Sequence, residues 1–84
     1  MTTPTEEPQA ERFHPGVFLL EELEERRWSQ EHFAEITGYS FRTINFVIRG
    51  HLSVSARMAA ALEKALETSA EYWLRLQALY DSHE

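Results

Sequence analysis

The chain has no cysteine in its 84 residues. That excludes a disulfide framework and a thiolate zinc site, and it fits a reducing, cytoplasmic setting. No apolar run approaches the ~18 residues of a membrane span. The opening MTTPTEEPQAER is acidic and broken by proline, unlike a secretory leader. There is no glycine-rich phosphate loop, no internal repeat and no strand alternation. His14, His32, His51 and His83 share no i, i+3 or i, i+4 spacing, so no helical metal site is predicted. No serine stands in a recognisable arrangement with a histidine and an acid. The expectation is a chain that is not an enzyme and carries no metal or other cofactor.

Basic residues are also scarce. Eight Lys and Arg face 14 Asp and Glu, for a net charge of −6. Taken whole, that balance argues against nucleic acid. Its distribution argues the other way. Residues 1–37 carry nine acids and three arginines. Residues 38–62 carry Arg42, Arg49 and Arg57 and no acid. Residues 63–84 carry five acids and two bases. The only net-positive segment begins inside the stretch Ser29–Gly50.

That stretch reads as two short helices joined at Gly38. Ser29 and Ser40 each precede a helical pattern, where a hydroxyl can cap exposed backbone N–H groups. The predicted spans are Gln30 to Thr37 and Phe41 to Arg49. Phe33, Ala34 and Ile36 give the first an apolar face, and Ile44, Val47 and Ile48 give one to the second. Gly50 stops the second helix. Two helices joined by a short glycine turn are the pattern of a DNA-binding helix-turn-helix.

The remainder reads as support. Residues 1–12 are expected to be a flexible acidic tail, residues 13–81 the folded domain, and 82–84 a short tail. Pro15 presets a helix entry, and Phe13 can staple against it. The first helix is predicted from Val17 to Arg26, with Leu19, Leu20 and Leu23 inward and the Arg27 stem extending the stripe. Glu22 and Arg26 are spaced as an i, i+4 pair. Val17, Phe18 and Leu20 widen its apolar surface into a candidate protein-contact patch. Trp28 is expected to anchor the following corner. Leu52 and Val54 are expected to plug the core from a loop. A fourth helix, Ala56 to Leu66, carries Met58, Ala59, Leu62, Ala65 and Leu66 inward. Thr68 with Glu71 fits a capping box for a fifth. That last helix is apolar on two sides, so self-association is expected through Tyr72, Trp73, Leu74, Leu76, Leu79 and Tyr80. The fold class is all-α, with five helices.

Helical geometry turns one face of the third helix outward. Ser40, Phe41, Arg42, Thr43, Asn45 and Phe46 lie on it as candidate base readers. Arg suits guanine O6 and N7, Asn suits adenine N6 and N7, and an apolar ring suits a thymine methyl. Ser29, Gln30, Arg49, His51 and Arg57 are candidates for the phosphate backbone. Two exposed phenylalanines suit a protein surface as well as a groove, which leaves a protein-binding alternative open.

The residues also resemble a known family, the HigA-type helix-turn-helix antitoxins of the Xre/Cro (lambda repressor-like) group. His14-Pro15-Gly16 with LLEEL looks like the family's entry and first helix. Trp28-Ser29-Gln30, Phe33-Ala34-Glu35, Gly38, Thr43-Ile44-Asn45 and Gly50 look like its helix-turn-helix. Leu62 to Leu66, Thr68 to Leu74, Leu76 to Ala78 and Tyr80-Asp81 look like its closing helices. The resemblance implies a small cytoplasmic homodimer, nucleoid-associated when bound to palindromic double-stranded operator DNA. It implies autorepression together with a RelE-like toxin, and no membrane partner. A neutraliser or solitary regulator whose helix-turn-helix meets protein is the alternative. The chain departs from the pattern at several positions. Arg27 stands at a usual glycine, Val17 and Leu20 at usually polar positions, Phe41 and Phe46 at commonly polar outward ones, and His51 at a common lysine.

Overall fold

In a computed structural model, residues 13–82 are described. They form five α-helices: α1 Pro15–Arg26, α2 Gln30–Thr37, α3 Phe41–Ile48, α4 Ala56–Leu66 and α5 Ala70–Asp81. The expected tail over 1–12 and residues 83–84 lie outside the described residues. The all-α, five-helix expectation holds among the residues described.

Serines set most of the starts. Ser29, Ser40, Ser55 and Ser69 sit in extended backbone, and each hydroxyl accepts from an N–H in the first turn. The capping box expected of Thr68 and Glu71 is therefore displaced by one residue. Ser69 caps α5, and Thr68 Oγ1 accepts instead from Trp73 Nε1 at 2.7 Å. A buried indole needs a partner for its N–H, and Thr68 is near enough to supply it.

α1 begins two residues before the expected Val17. Pro15 occupies the first turn, and His14 is the cap, its Nδ1 accepting from the Gly16 N–H at 2.9 Å. At the other end, Arg27 adopts φ 59°, so the non-glycine does sit in the left-handed region. Its stem does not extend the core stripe, because that conformation leaves it exposed. Arg26 pairs with Glu22 as expected. It also donates to the Leu66 carbonyl at 3.0 Å, satisfying an orphan acceptor at the end of α4.

The core is built from all five helices and one loop. Leu19, Leu23, Phe33, Ala34, Ile44, Val47, Val54, Met58, Ala59, Leu62, Leu66, Trp73 and Leu76 are buried. α1 packs on α3 and α5, α2 on α3 and α4, and α4 on α5. Three expected core residues fall outside it. Ile36 and Leu52 are over 40% exposed, and Leu20 is half-buried. An eight-residue helix covers only a narrow stripe, which Phe33 and Ala34 already fill. Trp28 is half-buried and stacks on Phe33. Gln77, buried in α5, accepts from the Val54 N–H at 2.8 Å and donates to Asp81 at 2.9 Å. It ties the α3–α4 loop to the last helix.

His14 gives this fold a pH dependence. Its ring is buried and meets the Tyr80 ring edge-on at 5.1 Å. Burial lowers its pKa below the ordinary 6.5, partly opposed by the Asp81 charge and a hydrogen bond to the Leu52 backbone. The cap also requires an unprotonated Nδ1. The unfolded chain therefore takes up the proton first, so stability is full above about pH 6.5 and is lost as pH falls from there through the folded value. Urea melts at pH 7.5 and pH 5 should show this loss. His14→Asn, which keeps a capping acceptor without titrating, should flatten the profile at this site.

Candidate nucleic-acid interface

The turn between α2 and α3 fixes the site. Gly38 has φ 86°, and its N–H donates to the Ala34 carbonyl at 2.9 Å. Thr37 Oγ1 donates to the Phe33 carbonyl at 3.1 Å and accepts from the Tyr39 N–H. The chain then re-enters helix at Ser40. Ser40 Oγ caps the Thr43 N–H and bonds its hydroxyl, each at 3.0 Å. Ile44 and Val47 are wholly buried and Ile48 is half-buried. This holds α3 with its opposite face to solvent.

The predicted readers lie on that face. Ser40, Phe41, Arg42 and Phe46 are exposed, and Thr43 and Asn45 are half-buried. Asn45 Nδ2 donates to Gln30 Oε1 at 3.0 Å. Gln30 opens α2, so this bond links the two helices across the turn. With the amides in this orientation, Asn45 Oδ1 is free to accept and Gln30 Nε2 to donate. Adenine offers the complement, an N6 donor beside an N7 acceptor. Composition alone gave no sign of the pairing. The signal available was a pair of amides 15 positions apart, each facing the same turn.

Arg42 and Phe46 are one helical turn apart, with the guanidinium 5.4 Å from the ring centroid. The His51 ring meets Phe46 edge-on at 6.2 Å. Phe41 points elsewhere. It lines a shallow open depression with Glu31, Ala34, Glu35, Gly38 and Tyr39. Of the phosphate candidates, Ser29, Arg49, His51 and Arg57 are exposed. The Ser29 hydroxyl is taken by the His32 N–H.

The residues proposed for other partners separate. Trp73 and Leu76 are spent in the protomer's own core, which corrects their place in a dimer seam. Tyr72 and Leu74 are exposed at 41% and 37%, and Leu79 and Tyr80 are half-buried. Val17 is exposed, while Phe18 and Leu20 are half-buried on α1. Among the described residues no helix is long and apolar enough to cross a membrane.

A helix pair joined by a glycine turn, packed on a common core, with the outward face of the second helix beside the first helix's N-terminus, defines a helix-turn-helix protein. The helix-turn-helix family model HTH_3 matches residues 19–73, and the chain belongs to that family. This is a family of DNA-binding regulators and antitoxins rather than enzymes. Among solved structures, the chain is similar to the Pseudomonas aeruginosa antitoxin HigA with higBA promoter. Identity is 35% and TM-score 0.81, covering 84% of this chain and 78% of that one. It is also similar to an addiction module antidote protein of a HigA family from Coxiella burnetii. Identity there is 33% and TM-score 0.78, covering 82% and 76% of the two chains. A curated relative, Virulence-associated protein A' of Dichelobacter nodosus, is 33% identical over 69 residues, or 81% of this chain. The match spans 60% of that relative's length. The HigA-type, Xre-like resemblance read from the sequence thus holds.

Proposed function

We propose that the chain is a dimeric, operator-binding antitoxin that represses its own transcription, with α3 as the reading helix. One observation carries this reading. The outward face of α3 presents Arg42 against Phe46 and Asn45 bonded to Gln30 of α2, and α3 lies in the 25-residue acid-free stretch 38–62. A relative of 35% identity was solved with its promoter, which supports carrying the activity over. Two copies of α3 would sit about 34 Å apart in successive major grooves. Arg49 and Arg57 supply about two cationic phosphate contacts per protomer. The log–log salt slope expected of the dimer is then roughly −4. Titration of the upstream DNA at several salt concentrations tests this. A slope near zero, or no retention, would turn the assignment toward the protein-binding alternative.

For the dimer, the free face of α5 is the favoured seam. Leu74 and Ala78 are exposed one turn apart, because Trp73, Leu76 and Gln77 face inward. Leu74→Glu should give monomers in sedimentation without unfolding the domain. A dimer that survives moves the seam to another surface. A RelE-like toxin, where one is encoded nearby, is assigned to the apolar side of α1 at Val17, Phe18 and Leu20.

A further inference from the structure

Phe46 is an apolar ring, 36% exposed, on a face that otherwise bonds through polar groups. The two neighbours of that ring are a cation and an imidazole. The Arg42 guanidinium lies 5.4 Å from its centroid and the His51 ring 6.2 Å. Among the described residues Arg42 makes no ion pair. A guanidinium is attracted to the face of an aromatic ring, so the long Arg42 side chain is restrained before any ligand arrives. Phe41 differs. It is more exposed than Phe46, and it borders Glu31 and Glu35 in the depression beside α2.

Spacing decides what the pair can meet. Neighbouring base pairs stack about 3.4 Å apart. Groups separated by 5.4 Å, approaching along the groove, therefore meet adjacent or next-adjacent bases and not a distant one. Arginine's complement in the major groove is guanine, through O6 and N7, and an apolar ring's complement is the thymine 5-methyl group. We infer that Arg42 and Phe46 act as one unit selecting a thymine beside a guanine. The ring covers the thymine methyl while the guanidinium it restrains bonds the guanine. Phe46 is thus a specificity residue in its own right and a positioning residue for Arg42. This rests on the operator-binding reading above and adds the sequence step that is read.

The test uses the full chain and duplexes enriched by it from a randomised library. Each thymine of the enriched half-site is replaced singly by deoxyuridine, which removes only the 5-methyl group. Affinity should fall about fourfold for a thymine next to the Arg42 guanine, the transfer preference of one methyl-sized group. Cytosine at that position should bind poorly, and 5-methylcytosine should recover part of the loss. Phe46→Ala should bind the thymine and uracil duplexes equally. Phe46→Leu, which keeps an apolar surface but no ring, should retain the methyl preference. It should also become less sensitive to 7-deazaguanine, because its arginine is no longer held. Circular dichroism melts check that both variants fold. Equal binding of thymine and uracil duplexes by the unaltered chain overturns the inference and leaves operator binding standing. A methyl preference that persists in Phe46→Ala also overturns it. Failure to enrich any duplex overturns both.

Discussion

Replacing Arg42 and Asn45 together by alanine should abolish sequence-specific retention of the operator. Each well-placed bidentate contact between a side chain and a base is worth about 1–3 kcal/mol of discrimination. Two such contacts in each half-site of a dimer should lower specific affinity by at least roughly 100-fold. The weak, sequence-independent binding that comes from phosphate contacts should survive, because Arg49, Arg57 and the N-terminus of α2 remain. Both side chains project from α3 without filling the core. Arg42 is exposed and Asn45 half-buried, so the melting temperature should change little. The informative measurement is competition between operator and random duplex, in which the ratio should collapse toward one. An unchanged ratio would place the reading surface elsewhere and would falsify the assignment of α3.

The second large effect is expected far from any base edge. A Cβ built on Gly16 would lie 2.0 Å from the Val47 carbonyl oxygen and 2.8 Å from both Cα and O of Ile48. All three atoms are backbone, so no rotamer change can relieve the overlap. Gly16→Ala must push the start of α1 away from the end of α3. Overpacking of this kind costs about 3 kcal/mol or more. That is a large part of the ~4–13 kcal/mol available to a domain of this size, and it corresponds to more than about 10 °C in melting temperature. Operator affinity should fall as well, because the displaced helix is the proposed reader. Gly38→Ala is the contrasting case. Nothing lies within 4 Å of a Cβ there, and the cost is the left-handed backbone alone, about 1–2 kcal/mol. Thermal melts should rank the variants in that order. The reverse ranking would mean that α1 and α3 are free to separate.

These two cases mark where sequence reading succeeded and where it stopped. The helix spans were legible because their signals are local. A serine just before an apolar repeat caps the helix within one turn, and α2 and α4 run as their patterns predict. The turn at Gly38 was legible because a left-handed position favours glycine. Arg27 was identified as a non-glycine in such a position only through the family resemblance, and the structure gives it φ 59°. The outward set on α3 followed from helical periodicity once Ile44 and Val47 were placed inside. Trp73 and Leu76 could not be placed this way. α5 is apolar on two sides, and periodicity does not say which side meets α1 and α4. Ile36 and Leu52 are apolar like core residues and yet exposed; for Ile36 the reason is that Phe33 and Ala34 already fill the narrow stripe that α2 turns inward.

By itself, then, the sequence determined an all-α helix-turn-helix protein with a positive segment at its second turn helix. Caps, turn chemistry and apolar period are short-range and survive without a model of the whole. Only the tertiary structure decided the rest. Gly16 matters because two backbones cross there. Asn45 is paired to Gln30 because a turn folds α2 over α3. Phe46 meets Arg42 because one helical turn brings a ring beneath a guanidinium that pairs with no acid among the described residues. Each depends on distances between atoms that local sequence rules do not fix, and those distances shape the outward face of α3.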